Sequence, residues 1–196
     1  MKDADLLELS NDAGIVATVV LTFNFLLGML LATAYKKNRY WQKLPQRIRE
    51  TDVNNLHNWT AYVALILVFI HPLLLLLAPS TKFTFVDIIF PLNAPNQKIF
   101  VALGTLSMFA LIIVIITTQK KLKRMMSFRT WKNIHLISYG TALLFVVHGI
   151  FMDQHLKDQS PDFFDGEKLI SELCGISLTV ASVLRYKYYL KTKREV

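Results

Sequence analysis

The chain has 196 residues, a net charge of +8, 53% hydrophobic residues and a mean hydropathy of +0.38. A soluble domain of this length does not carry several uninterrupted apolar runs of spanning length, so the composition excludes an ordinary soluble enzyme and predicts an all-α integral membrane protein. The basic excess does not form a nucleic-acid-binding face either, because it is confined to particular connections between the apolar runs.

Residues 1–12 form an acidic segment with Asp3, Asp5, Glu8 and Asp12. The first apolar run, 13–35, is too long for a signal peptide and lacks the small-residue cleavage pattern, so it is read as a retained span. A basic stretch over 36–50 precedes the second span, 57–78, which contains His57, His71 and Pro72. Pro72 removes a backbone donor and can kink its helix. Residues 79–96 are aromatic and punctuated by proline, too short and broken to cross, and read as an interfacial segment or lid. The third span, 97–118, leads into a second basic stretch over 119–132. The fourth, 131–152, contains His135, His148, Gly140 and Gly149. An acidic loop over 153–167, with an unmatched His155, precedes a fifth span, 168–190, which has Glu172 near its start. The chain ends in a basic tail, 191–196, leaving 13–190 as one membrane domain. Short connections between spans predict antiparallel neighbours in one bundle of about five helices.

Three regions (36–50, 119–132 and 185–194) hold 17 of the 22 lysines and arginines. They alternate with the other connections, so the positive-inside rule puts them in the cytoplasm, with the N-terminus out and the C-terminus in. The single cysteine, Cys174, permits no internal disulfide, and a C-x-x-C-H haem-attachment motif is absent. No glycine-rich phosphate fingerprint and no soluble stretch of domain size occur, so no flavin or nicotinamide domain is expected within these residues.

The histidines carry the chemistry. His57 and His71 are 14 residues apart and His135 and His148 are 13 apart, each about four helical turns or roughly 20 Å of rise. Both helices run from inside to outside, which sets His57 level with His135 and His71 level with His148. Neutral imidazole is a common iron ligand, and intramembrane histidines mark function. The reading is two stacked b haems, the inner held by His57 and His135, the outer by His71 and His148. Helix geometry strains this picture at one point. At 100° per residue, 14 positions return to within about 40° of the same face, whereas 13 leave about 140°. Arg129 and Lys132, just before His135, are candidate partners for the inner haem's propionates, as are Arg47 and Arg49; Lys82 and Lys98 are candidates outside. Trp59 and Trp131 fit interfacial anchoring better than packing on a haem. Gly140 and Gly149 offer places for a flat macrocycle to approach the backbone.

The segments NLHNWTAYVALILVFIHP and FRTWKNIHLISYGTALLFVVHG resemble the ferric-reductase-like transmembrane domain. That domain is shared by NADPH oxidases, ferric reductases and the haem-binding subunit of the bacterial methionine sulfoxide reductase system. The resemblance covers about residues 15–190. It implies that His57, His71, His135 and His148 are axial ligands of two b haems, and that spacings of 14 and 13 are compatible with that role. It also implies an electron-transfer subunit of an oxidoreductase in a cell membrane, expected to be a bacterial inner membrane. Electrons would come from a separate cytoplasmic flavin donor or from membrane quinol. They would leave to ferric iron, dioxygen or a partner protein outside. The competing reading is a haem-free polytopic transporter or assembly factor that uses buried histidines as proton relays.

Overall fold

The computed structural model describes residues 3–152 and 166–194. Most of the acidic 153–167 connection, with His155, lies outside the described residues. Five long helices supply the spans: α1 (Asp3–Leu31), α2 (Val53–Leu76), α3 (Lys98–Thr118), α4 (Phe128–Phe151) and α5 (Gly166–Arg194). All five are long and apolar enough to cross a membrane, and no strand occurs among the described residues. Large apolar side chains such as Leu106, Leu143, Ile66 and Ile176 point outward and are more than half exposed, which suits a surface facing lipid.

The helices extend beyond their apolar runs where charge matches the backbone dipole. The sequence reading sets 1–12 apart as an outer segment, but α1 starts at Asp3 and runs unbroken through it. Asp3 and Asp5 in its first turn meet the positive end of the helix dipole. Likewise α5 continues to Arg194, so the basic tail largely belongs to a helix whose C-terminal end favours cations. Side-chain caps set the other starts. Asp52 accepts the Asn55 backbone N–H at 3.1 Å and opens α2, and Ser127 accepts the Thr130 N–H at 3.1 Å and opens α4. Pro72 lies inside α2, which remains one helix through it.

α1 packs along α2 and α3 along α4, and α1 and α4 join the two pairs while α5 packs against both of them. The shared core takes Ala17, Leu21 and Phe25 from α1, Ala64 and Val68 from α2, Met108 and Leu111 from α3, and Phe145 and Val146 from α4. On α1, positions 10, 14, 17, 21, 24 and 28 advance in alternating steps of four and three, the spacing of a coiled-coil seam. The antiparallel order gathers the basic 36–50 and 119–125 connections at the end of the bundle that holds His57 and His135.

Residues 79–96 fold as a lid over the other end. A short helix, Phe85–Ile89, lies between two single 3-10 turns. Phe83 and Ala94 are buried with Leu75, and the Thr105 hydroxyl donates to the Ile88 carbonyl at 2.9 Å, tying the lid to α3. The Ser80 N–H donates to Asp3 at 2.9 Å, tying it to α1. Asp87 holds the turn in shape, accepting from the Thr84 hydroxyl at 2.6 Å and the Thr84 N–H at 2.8 Å. These two bonds, the hydroxyl's first, hold its carboxyl below the usual carboxylate range. A depressed folded-state pKa stabilises the lid fully above the unfolded value of about 3.9, and that contribution disappears as pH falls through the lowered value. Amide exchange over Phe85–Ile89, corrected for intrinsic rates, should therefore accelerate on acidification from about pH 5 to about pH 3. Asp87→Asn should exchange faster at pH 5 and lack that step. A wild-type lid with no pH dependence would refute the role given to Asp87.

Candidate functional site

α2 and α4 bring the four histidines together in two facing pairs. The His57 and His135 ring centroids lie 6.2 Å apart with planes at 75°, and those of His71 and His148 lie 6.1 Å apart at 78°. Two imidazoles bound on opposite sides of one metal ion, each through a nitrogen at about 2.0–2.1 Å, place their centroids about 6.3 Å apart. Both gaps match that value. The 140° offset between His135 and His148 therefore does not prevent either ring from reaching its partner.

Three of the four rings are held in the same way. His71 Nδ1 lies 2.7 Å from the Ser10 carbonyl, His57 Nδ1 3.0 Å from that of Asn24, and His148 Nδ1 2.8 Å from that of Phe100. A carbonyl only accepts, so each Nδ1 must carry the proton and each Nε2 keeps its lone pair. That is the tautomer a metal requires, fixed by a second hydrogen bond on the far side of the ring. Among the described residues none of these Nε2 atoms has a hydrogen-bond partner. The contact is reciprocal on α1. The Ser10 hydroxyl donates to the His71 carbonyl at 2.8 Å, and the Asn24 amide donates to the His57 carbonyl. The first of these gives the residue before Pro72 a cross-helix partner.

A glycine four residues after each acceptor makes room for the ring. A Cβ on Gly14 would sit 3.1 Å from His71 Nδ1, one on Gly28 3.2 Å from His57 Cε1, and one on Gly104 2.9 Å from His148 Cε1. Ser10 with Gly14, Asn24 with Gly28, and Phe100 with Gly104 are thus three copies of one docking unit. Sequence reading found no internal repeat and named none of these six residues. The available signal was the interval, since Gly14 and Gly28 are 14 apart, as are His57 and His71.

His135 is the exception. Its Nδ1 is buried with no partner among the described residues, an arrangement that costs about 1–3 kcal/mol for a buried donor. Its ring instead stacks on Trp131, with centroids 5.3 Å apart and planes at 18°, and the Lys123 ammonium sits 4.0 Å above the Trp131 ring. Trp131 therefore does more than anchor at an interface, whereas Trp59 is 64% exposed, as an anchor should be. Arg129 and Lys132 are exposed on the first two turns of α4 and make no hydrogen bond or ring contact with either pair among the described residues; Lys82 and Lys98 are exposed as well. Gly140 faces open space, and Gly149 packs against Ser171 of α5.

The His71–His148 pair opens into a cleft of about 1120 Å³, counting its open mouth. Val68, Leu75, Met108 and Phe145 give it apolar walls, Phe83 and Ile88 of the lid close one side, and Lys168 and Asn11 bring polar groups. Sequence reading missed Lys168 as a cation at this cleft. No group of three or more His, Cys, Asp or Glu side chains gathers among the described residues. A bare ion would thus find two protein ligands, whereas the iron of a porphyrin brings four ring nitrogens and lacks only two. Paired imidazoles, apolar walls and a nearby cation for a carboxylate fit haem.

Comparison with curated proteins and with solved structures found no match. The family model of ferric reductase like transmembrane components matches residues 13–147. That range contains His57, His71 and His135 and all three docking glycines, and it stops one residue before His148. It covers well over half the chain, and the chain belongs to the family of ferric reductase like transmembrane components.

Proposed function

We propose that this chain is a b-type membrane cytochrome with two haems, one held by His57 and His135 and the other by His71 and His148, serving as the electron-transfer subunit of an oxidoreductase. The observation that carries the reading is the pair of centroid gaps, 6.2 and 6.1 Å, each the span of one metal between two imidazoles. When bound, the two haems supply one-electron carriers at two depths in the bundle. The paired imidazoles of His57 with His135 and of His71 with His148 would hold these groups, and no substrate site on iron would be needed.

The protein's part is to hold those imidazoles still. The carbonyls of Ser10, Asn24 and Phe100 fix ring orientation and raise ligand basicity, and Gly14, Gly28 and Gly104 let the supporting helices come close enough to do so. Arg129 and Lys132, at the exposed start of α4, are the cations proposed for propionates of the His57–His135 haem, and Lys168 is proposed for the other. The basic connections favour a cytoplasmic location for the His57–His135 end, and hence N-out, C-in insertion in a bacterial inner membrane. Electrons then enter from a cytoplasmic flavin donor or from quinol and leave at the lid-covered end to ferric iron, dioxygen or a partner protein. With the inside negative, outward transfer of one electron across the whole potential gains about 2.3 kcal/mol per 100 mV.

Purified protein should show reduced b-type absorption bands and two haems per chain by pyridine haemochrome assay. His71→Ala and His148→Ala should each disturb one spectral component, and His57→Ala and His135→Ala the other. A change in the same component in His57→Ala and His148→Ala would overturn the pairing. Absence of b-type bands would sink the proposal.

The docking units give an independent check. Gly104→Ala places a methyl group within 2.9 Å of the His148 ring, and should weaken retention of that haem by about 10- to 100-fold. Gly140→Ala meets nothing within 4 Å and should retain both haems. Equal haem loss in the two variants would mean that Gly104 has no positioning role.

A further inference from the structure

We infer that His135 is the displaceable ligand of the four, and that the His57–His135 site is where a small neutral diatomic molecule gains access to the metal. This rests on the two-haem reading above and adds an inequality between the sites that the reading alone does not contain.

The inequality is built into α3. On α1, docking units recur after 14 residues, two heptads, which keeps them on one helix face. Advancing 14 residues on α3 from Phe100 and Gly104 reaches Val114 and Thr118. Val114 is buried, so this face still points into the bundle. The glycine position, however, is now a threonine. The acceptor has a competitor too, because the Thr117 hydroxyl lies 2.9 Å from both the Val114 and the Ile113 carbonyls and can donate to either. A carbonyl has two lone pairs, and the helix uses one. At Phe100 the second takes His148, whereas at Val114 the Thr117 hydroxyl competes for it. The fourth docking unit therefore lacks its glycine and has a rival at its acceptor, in agreement with the unpartnered His135 Nδ1.

Ligating histidines almost always donate their second N–H to an acceptor, and loss of such a partner typically costs 10- to 100-fold in metal affinity. His57, His71 and His148 have that support. His135 has only a stack on Trp131, which restrains the ring plane but accepts no hydrogen bond from Nδ1. In the exchange, the bond from His135 Nε2 to iron breaks and one from the incoming diatomic forms. No electron or proton moves, and the imidazole leaves neutral with its Nδ1 proton in place.

Carbon monoxide on the dithionite-reduced, haem-loaded full chain tests this by absorption spectroscopy. The expected result is a spectral shift in half of the haem and none in the rest. In His135→Ala the haem still held by His57 should bind carbon monoxide with an apparent affinity about tenfold or more tighter, because no imidazole competes for the position. The double variant Thr117→Val/Thr118→Gly, which restores a free acceptor followed by glycine, should lower the affinity of the same fraction. No shift in the wild type, or equal shifts in both halves, would overturn the inference while leaving the two-haem reading intact. A tightened affinity in His148→Ala confined to that same fraction would overturn it as well. The haem reading is judged separately, from the reduced spectrum recorded before carbon monoxide is added.

Discussion

An imidazole can offer Nε2 to a metal only while Nδ1 keeps the proton, and within an apolar bundle that proton needs an acceptor. Most of the architecture follows from this requirement. In lipid the available acceptors are backbone carbonyls of neighbouring helices, which the imidazole can reach only if the two backbones come unusually close. Closeness demands glycine where the ring lies, and Gly14, Gly28 and Gly104 provide it. The same requirement explains the length of α1. A helix starting at residue 13 would lack Ser10, whose carbonyl and hydroxyl both reach His71. The polar N-terminal residues thus belong to the site although they precede the apolar run.

Register decides which histidines obtain this support. Two helices packed along a heptad seam return to the same relation after 14 residues, so one docking arrangement can be used twice. α1 and α2 do this, with Ser10 and Gly14 against His71 and Asn24 and Gly28 against His57. The 13-residue interval of α4 falls one residue short. Both of its rings still reach their partners across the bundle, but only His148 obtains a carbonyl. The strain visible in helix arithmetic appears in the structure as an unpartnered Nδ1 on His135 rather than as a misplaced ring.

Much of this was legible from residue types. Apolar runs gave the five spans, alternating charge gave the antiparallel order, and that order set His57 against His135 and His71 against His148. The docking units were not legible in the same way, because their acceptors are backbone atoms whose residue identity hardly matters: a serine, an asparagine and a phenylalanine serve equally. Only the glycines leave a trace, and Gly140 and Gly149 drew attention because they share a helix with histidines. Ring docking, though, depends on glycine in the opposite helix. Trp131 was legible only in part for a related reason. Its place near a helix end suits an interfacial anchor, and only the fold shows Lys123, Trp131 and His135 in one stack. Lys168 lies in α5, beyond the residues 13–147 that the family model matches, and reaches the cleft because α5 packs across α1 and α4.

The two ends of the bundle are consequently built to different standards. At one end, His71 and His148 both have carbonyl support at 2.7 and 2.8 Å, and a lid tied to α1 and α3 covers the cleft. At the other, one ligand is docked and one is stacked beneath a lysine, among the basic connections. A relay gains from rigid ligands, since an imidazole that moves little on oxidation or reduction adds little to the barrier for electron transfer. On that argument the lid-covered pair would hold the stiffer carrier of the two proposed. On the two-haem proposal, the His57–His135 pair, with a ring restrained by stacking alone and a cation close by, would be where the ligand set responds to charge arriving on the metal. The difference falls in register with Thr117 and Thr118, two hydroxyl-bearing residues at the positions where α3 would repeat its own docking unit after 14 residues.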